Sequence, residues 1–238
     1  MAKSVEFHPQ ARPALGREGV GVVSVSTWDV GTPERQRATL RAIEETWRKH
    51  GWPDHAALLS YSVHIGDDGR TLLHYGQWRD QAAYEDFFAH YRDARNGEID
   101  AAVPGIERLE LNFYRLYRGQ GDQDRVPGSV VIVEAEFDGP DQDRVRRWID
   151  GVHTALDSDT GADVGGGIGG WFHVSTDGTR MVNYAEWESA EAHQKALDAS
   201  GEGVGSDTEE WAAVRAFPGV VTSRVRRYTP GVSITPGA

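Results

Sequence analysis

The chain has 238 residues, of which 39% are hydrophobic and 26% are charged, a length and composition that suit one large globular domain or two small ones. Its net charge of −12 argues against nucleic acid or an anionic membrane as a partner, because phosphate binding needs clustered Lys and Arg. The absence of Cys excludes disulfides, thiolate catalysis and Cys-based metal sites. No apolar run reaches the roughly 20 residues of a membrane helix, and we expect a cytoplasmic protein.

The first half of the sequence predicts alternating strands and helices between an N-terminal arm and a linker. Residues 1–18 lack an apolar core and are interpreted as a flexible arm. In chain order we then predict a strand at 20–28, a helix at 33–49, a hairpin with its turn at 67–69, a helix at 81–92 and a strand at 106–117. The polar, Gly-rich residues 119–127 are interpreted as a linker.

The second half repeats this order. It predicts a strand at 130–137, a helix at 141–156, a hairpin with its turn at 176–178, a strand at 220–228 and a tail at 231–238. The order β-α-β-β-α-β is that of a ferredoxin-like unit, so the predicted fold class is α+β with two tandem units, 19–118 and 128–230. One such unit leaves a sheet face uncovered, and two copies can cover each other as a pseudo-dimer within one chain. A homodimer of this pseudo-dimer is left open.

Matching residues at a constant spacing indicate that the two halves arose by internal duplication. The following pairs are each 109 residues apart: His64 with His173, Gly69 with Gly178, Tyr75 with Tyr184, Trp78 with Trp187, and Trp28 with Phe137. One register that holds from the first strand to the fourth element is hard to explain by chance. The polar and aromatic members of these pairs are therefore candidate functional residues.

The hairpin turn decides which of these side chains share a sheet face. A three-residue turn ending in Gly69 would pair His64 with Leu72, and alternation would then place His64, His74 and Trp78 on one face. The same prediction for the second copy groups His173, Asn183 and Trp187. A two-residue loop would instead place the histidine and the other residues on opposite faces. Core packing alone also explains buried Trp and His, but the duplication favours an enclosed polar and aromatic pocket.

The stretch from His173 to Trp187, with Asn183 between them, resembles the hairpin of the antibiotic biosynthesis monooxygenase family, and among its members the anthrone oxygenases resemble it most closely. The resemblance implies an intramolecular dimeric α/β barrel with a pocket between sheet and helices in each unit. It also implies that Asn183 and Trp187 contact a small polycyclic aromatic substrate, with His173 nearby.

The first copy matches the same pattern with substitutions. The resemblance carries the family positions onto His64, Trp78 and Tyr84, with His74 where the second copy has Asn183. In the second copy, His193 occupies the position of Tyr84. Trp28 and Phe137 complete the predicted substrate contacts. The family's Arg on the second helix has no counterpart in place, since Gly97 and Trp211 lie there and Arg95 and Arg215 are only nearby.

These residues suggest a metal-free and cofactor-free oxidation by O₂. An anthrone or hydroquinone that loses a proton can give an electron to O₂, so the protein must favour the enolate and exclude water. We predict that His64 or His74 in the first copy and His173 in the second act as bases. Asn183 is predicted to hold an oxyanion, and Trp78 and Trp187 to stack on the rings. We expect one catalytic half and one divergent half.

Three alternatives stay open at the level of sequence. The first is an angucyclinone ring-opening oxygenase that uses reduced flavin, the second a non-oxidative polyketide cyclase, and the third a binding protein for an aromatic metabolite. Gly165, Gly167 and Gly170 spell GxGxxG, but they precede a predicted strand, whereas a dinucleotide site needs this turn after a strand. No metal-binding spacing of His is present.

Overall fold

The computed structural model describes residues 3–9, 12–53, 57–122, 124–159, 165–200 and 205–237. It divides into two compact units, unit 1 (Met1–Phe113 with Tyr228–Ala238) and unit 2 (Tyr114–Arg227). In chain order the elements are β1 (Val5–Pro9), β2 (Val22–Asp29), α1 (Pro33–His50), β3 (Leu58–Gly66), β4 (Thr71–Trp78), α2 (Gln81–Phe87), a π-helical segment (Phe88–Arg92), α3 (Asp93–Ala102), β5 (Glu107–Gly121), β6 (Ser129–Phe137), α4 (Gln142–Ser158), β7 (Gly167–Ser175), β8 (Arg180–Trp187), α5 (Ala190–Ser200), α6 (Glu209–Arg215) and β9 (Val220–Pro236).

Unit 1 consists of a sheet and helices, and the strand order of its sheet is β1-β9-β3-β4-β2-β5. The part of β9 from Tyr228 onward pairs antiparallel with β3 and with β1. The core lies between this sheet and the helices, and includes Ile43 of α1, Ile99 of α3 and Ile234 of β9. Because these apolar residues recur on one side of each element, the helices pack on one face of the sheet.

Unit 2 has the strand order β5-β7-β8-β6-β9 and carries α4, α5 and α6. Its core includes Ile149 on α4, Phe172 on β7 and Trp211 on α6. Each copy thus has the predicted order β-α-β-β-α-β, and the α+β class is confirmed.

The predicted first helix of each copy is confirmed, and its start is fixed by a capping side chain. The Thr32 hydroxyl accepts a hydrogen bond from the backbone N–H of Arg35, and Asp141 does the same for Arg144. The second helix of the first copy is longer than predicted. After α2 it passes through the π-helical segment Phe88–Arg92 into α3, which ends at Ala102.

Three segments predicted as arm, linker and tail contain strand. Residues of the arm form β1, the linker begins inside β5, which runs to Gly121, and residues 231–236 of the tail belong to β9. Pairing explains each difference, since β1 and the end of β9 bond to each other and the end of β5 bonds to β7. Gly119 and Gly121 are required because a Cβ at either position would overlap the indole of Trp171. These glycines provide room for Trp171 and do not mark a flexible linker.

The two hairpin loops have four residues, not three, and this overturns the predicted faces. His64 pairs with Leu73 and not with Leu72, while His74 pairs with Val63. His64 therefore lies on the face opposite to His74 and Trp78. In unit 2, His173 pairs with Val182, and so lies opposite to Asn183 and Trp187.

The pairing of Trp28 with Phe137 across the copies is also wrong. Trp28 pairs with Leu72 on β4, and the matching residue of β8, Met181, pairs with Ala135. The counterpart of Trp28 is thus Ala135, because the connection from strand to helix is two residues longer in the second copy. The offset of 109 that relates the hairpins does not hold for the first strands, and the sequence comparison did not reveal this difference.

Candidate functional site

The face of β4 that carries His74, Gly76 and Trp78 borders a cavity of about 340 Å³ in unit 1. This volume lies within the range of roughly 300–1,000 Å³ that is usual for small-molecule sites. Strands β2, β3, β4 and β5, helices α1, α2 and α3 and the π-helical segment all contribute to its wall. Of the residues predicted for the first copy, Trp28, His74, Trp78 and Tyr84 line it, whereas His64 does not.

The buried His74 and the partly buried Tyr61 form a polar pair in the wall of the cavity. The Tyr61 hydroxyl lies 2.6 Å from His74 Nδ1, and the two rings stack with centroids 5.8 Å apart. The indole of Trp28 contacts the imidazole at a centroid distance of 4.1 Å. Among the described residues, the buried His74 Nε2 has no hydrogen-bond partner. The geometry thus holds the imidazole firmly, with one of its nitrogens covered and unpaired.

Burial determines the protonation of this pair. It lowers the pKa of His74 to about 3, with a smaller effect of the same sign from the positive charge of Arg108. Burial also raises the pKa of Tyr61 above its ordinary value, and Arg108 opposes that rise only in part. The imidazole and the phenol are therefore both neutral at physiological pH.

Trp78 forms the second aromatic wall. Its Nε1–H donates to the Ser24 hydroxyl over 2.9 Å, and its ring meets Tyr84 edge-on at 5.2 Å. Gly76 makes room for this arrangement, because a Cβ there would lie 2.6 Å from Ser24 Oγ and 2.8 Å from Trp78 Nε1. A residue larger than Gly76 would therefore clash with the hydrogen-bonded Ser24 and Trp78 side chains.

Two arginines line the same cavity. The Arg95 guanidinium lies 4.8 Å from the centroid of the Trp47 ring and donates to the backbone oxygens of Gly51 and Tyr91. The Arg108 guanidinium lies 4.5 Å from the centroid of the Trp28 ring and pairs with Asp100 over 3.0 Å. Sequence reasoning did not identify Tyr61, whose position falls on Gly170 at the repeat spacing, or Arg108, and Arg95 was only a neighbour of the expected position.

His64 and His173 are fully buried on the opposite sheet faces. Burial lowers the pKa of His64 to about 3 and that of His173 to about 4. The prediction that either shares a face with His74 or Asn183 is wrong. A base role for His64 in the unit 1 cavity is therefore not supported by its position.

In unit 2 the predicted residues Asn183, Trp187 and His193 lie near one another on or beside β8. The rings of Trp187 and His193 meet edge-on at 5.0 Å, and the Arg227 Nη2 donates to His193 Nδ1 over 3.1 Å. Burial, aided by Arg227, lowers the pKa of His193 to about 4. The Oδ1 of Asn183 is buried, and no hydrogen-bond partner for it lies among the described residues. Phe137, in contrast, packs in the core of unit 2 against Trp148.

The described residues contain neither a metal-binding cluster nor a helix that could span a membrane. Within those ranges there is no group of three His, Cys, Asp or Glu that could hold a metal ion. Over the same part of the chain, no helix is both long and apolar enough to cross a membrane. The expectation of metal-free chemistry stays a prediction.

The fold is shared with solved structures. No protein-family model matches the chain, and no curated protein matches it significantly. A protein described as anthrone oxidase-like aligns with a TM-score of 0.62 and 16% identity over 98% of both chains. A proposed monooxygenase from Fusobacterium nucleatum aligns with a TM-score of 0.56 and 8% identity over 93% of this chain and 97% of that one. A mutant chlorite dismutase from Candidatus Nitrospira defluvii aligns with a TM-score of 0.52 and 12% identity over 91% of this chain and 94% of that one.

At these identities the comparisons establish a common α+β fold. Functions on one fold differ widely, and the chemistry has to be argued from the site.

Proposed function

We propose that the chain is a tandem member of the antibiotic biosynthesis monooxygenase family, with its two units arranged as an intramolecular dimeric α/β barrel. In this proposal it oxidises a polycyclic phenol or anthrone to a quinone with O₂, without metal or organic cofactor, in aromatic polyketide biosynthesis. The observation that carries the proposal is the unit 1 cavity, which joins aromatic walls to the neutral His74–Tyr61 pair. The structural neighbour described as anthrone oxidase-like supports the substrate class.

The reaction needs little from the protein beyond a suitable environment. Loss of a proton gives the enolate, which transfers one electron to O₂, and the two radicals combine to a peroxide. The peroxide takes up a proton and loses water, so that anthrone plus O₂ gives quinone plus water. Exclusion of bulk water protects the radicals, and fixed dipoles replace the lost solvation of the enolate.

The residues of the cavity fit these requirements. Trp28, Trp78 and Tyr84 provide faces and edges on which a planar ring system can stack. The positive charges of Arg95 and Arg108 offset part of the cost of placing an enolate in a dry site. His74, whose pKa is about 3, is a weak base, and its neutral ring is better suited to hydrogen bonding than to proton abstraction.

The decisive test is oxygen consumption by metal-free protein. Protein dialysed against EDTA is mixed with anthrone in air, and O₂ uptake is followed with an electrode beside a sample without enzyme. The proposal predicts uptake above the uncatalysed rate with one O₂ consumed per quinone formed, and the same rate with and without added reduced flavin.

Three other outcomes would replace the proposal. Turnover of substrate under nitrogen would indicate a non-oxidative cyclase. Oxygen uptake that requires reduced flavin would indicate the flavin-assisted ring-opening reaction. Saturable binding of the aromatic compound without any reaction would indicate a binding protein.

A further inference from the structure

We propose that Tyr61 is a positioning residue that fixes His74 as the tautomer protonated at Nε2, so that His74 serves as a hydrogen-bond donor and not as a base. The pair lies in the wall of the unit 1 cavity, where His74 is buried and Tyr61 is partly buried. The identity of the acceptor, an enolate oxygen, rests on the proposed function, whereas the tautomer itself does not.

The tautomer follows from the hydrogens available to the pair. The Tyr61 hydroxyl has a single hydrogen, and among the described residues its recorded hydrogen bond is the one to His74 Nδ1. If the phenol donates, Nδ1 accepts and the ring proton lies on Nε2. If Nδ1 carried the proton instead, the contact would be an N–H···O bond, and 2.6 Å is shorter than the roughly 2.7–3.2 Å usual for such bonds.

The rings are held so that this choice persists. Tyr61 and His74 are nearly parallel, with an interplanar angle of 18°, and Trp28 contacts the imidazole. A flip of the imidazole would break the 2.6 Å bond and disturb the contact with Trp28. The Tyr61 hydroxyl therefore fixes both the orientation and the tautomer of His74.

The consequence for a ligand is a fixed N–H donor. Within the part of the chain that the structure describes, His74 Nε2 has no hydrogen-bond partner, and neighbouring side chains cover it. A ligand oxygen reaches it once a covering side chain moves, and hydrogen bonds in catalytic sites commonly tighten in this way on substrate binding. In a site of low polarity, an N–H that is already oriented stabilises a developing oxyanion without reorganisation.

The second copy of the repeat supports this reading. At the hairpin spacing, the counterparts of Tyr61 and His74 are Gly170 and Asn183, and both pairs of strands keep the same register. The amide nitrogen of an Asn is a donor at every pH and needs no partner to make it so. A histidine at this position becomes an equivalent donor when a hydroxyl at Nδ1 fixes its proton on Nε2, and Tyr61 lies at Nδ1 of His74.

The tautomer can be measured by NMR on ¹⁵N-histidine protein, because the protonated and the lone-pair nitrogen of a neutral imidazole have well-separated shifts. The His74 signals are assigned by their loss in His74→Asn. We expect Nε2 protonated and Nδ1 unprotonated from pH 5 to 8. A wild-type spectrum with Nδ1 protonated, or a ring that becomes cationic within this range, would overturn the proposal.

Two variants test the part played by Tyr61. Tyr61→Phe keeps the aromatic ring and removes the hydroxyl, and we expect His74 to shift to a mixture of tautomers. Tyr84→Phe removes another hydroxyl from the same cavity and should leave the tautomer unchanged. Equal spectra for Tyr61→Phe and wild type would contradict the proposal. Should Tyr61→Phe not fold, the wild-type spectrum alone still decides the tautomer.

Kinetics separate this inference from the proposed function. If anthrone oxidation is confirmed, Tyr61→Phe should lower kcat at least about twofold with little change in KM, because only part of the population keeps the Nε2–H donor. The wild-type kcat should show no step from His74 between pH 5 and 8. The expected tautomer without oxygen uptake would refute the proposed function alone, and oxygen uptake with the other tautomer would refute this inference alone.

Discussion

At the scale of single residues, the two copies of the repeat differ where the unit 1 cavity is lined. His74 and Trp28 correspond in register to Asn183 and Ala135, and Tyr61 corresponds to Gly170. The repeated Trp78 and Trp187 were predictable from the constant spacing. The His74–Tyr61 bond was not, because it joins two strands whose register depends on a loop between them.

Gly76 offers a direct test of packing around Trp78. Replacing it with Ala places a Cβ 2.6 Å from Ser24 Oγ and should lower the free energy of unfolding by about 1–3 kcal/mol. Gly97, in α3, is a matched control with no atom within 4 Å of its added Cβ, and Gly97→Ala should stabilise by about 0.5–1 kcal/mol. Urea unfolding of both variants measures the difference, and equal effects would contradict the proposed steric role.

Buried histidines predict how stability depends on pH. Burial lowers the pKa of His64 to about 3 and of His173 to about 4, while unfolded histidine titrates near 6.5. Below pH 6.5 the unfolded chain therefore binds protons that the folded chain does not. Their stabilising effect is complete above pH 6.5 and decreases as the pH falls, by up to about 1.4 kcal/mol per pH unit for each histidine.

Urea unfolding at pH 7, 6 and 5 checks this dependence. His64→Gln should reduce the slope of the free energy of unfolding against pH, since it removes one of the buried groups. His90, whose side chain is largely exposed, supplies the control His90→Gln, which should leave the slope unchanged. A slope that is the same in wild type and His64→Gln would show that His64 is not responsible.

At the scale of elements, the hairpins show why sequence predicted the strands but not their faces. A turn that ends in Gly69 suits both a three-residue and a four-residue loop, and one residue reverses every side chain that follows. Asp68 decides between them, because its carboxylate accepts hydrogen bonds from the backbone N–H groups of Arg70 and Thr71 and from the Thr71 hydroxyl. The sequence shows that an Asp is present in the turn, but it does not show the four-residue loop that the hydrogen bonds of Asp68 stabilise.

The loop can be tested through Asp68. Asp68→Ala removes three hydrogen bonds to a charged group, and we expect a loss of about 1–3 kcal/mol in the free energy of unfolding. Its neighbour Asp67 has one long contact, 3.3 Å from the Thr229 hydroxyl, and Asp67→Ala should cost clearly less. Similar losses for the two variants in urea unfolding would contradict the role given to Asp68.

At the scale of the whole molecule, the chain does not divide into two units at a linker. Unit 1 includes the C-terminal strand, in which Val232 and Ile234 are buried in its core. Sequence reasoning interpreted 231–238 as a tail, because Pro230, Gly231 and Pro236 are typical of chain ends and loops. Partners that are distant in sequence determine such a strand, and local patterns do not reveal them.

A truncation tests this assignment. A chain that ends at Arg227 lacks the strand that pairs with β3, and we expect unit 1 to lose its cooperative unfolding transition and become susceptible to proteolysis. Removing only Gly237 and Ala238, which lie beyond β9, is the control and should change little. A compact, protease-resistant unit 1 in the longer truncation would contradict the structural role of β9.

If the unit 1 cavity is the oxygenase site, a bulky side chain that fills the cavity should lower the oxygenase activity. Ser26 lines the cavity and pairs with His74, while its counterpart in unit 2, Val133, pairs with Asn183. The measurement is anthrone-dependent O₂ uptake by Ser26→Phe and Val133→Phe, both checked for native folding. We expect Ser26→Phe to lower kcat/KM at least about tenfold, equivalent to about 1.4 kcal/mol of transition-state binding. We expect the kcat/KM of Val133→Phe to stay near that of wild type. Loss of activity in Val133→Phe with Ser26→Phe unaffected would contradict the assignment of the oxygenase site to unit 1.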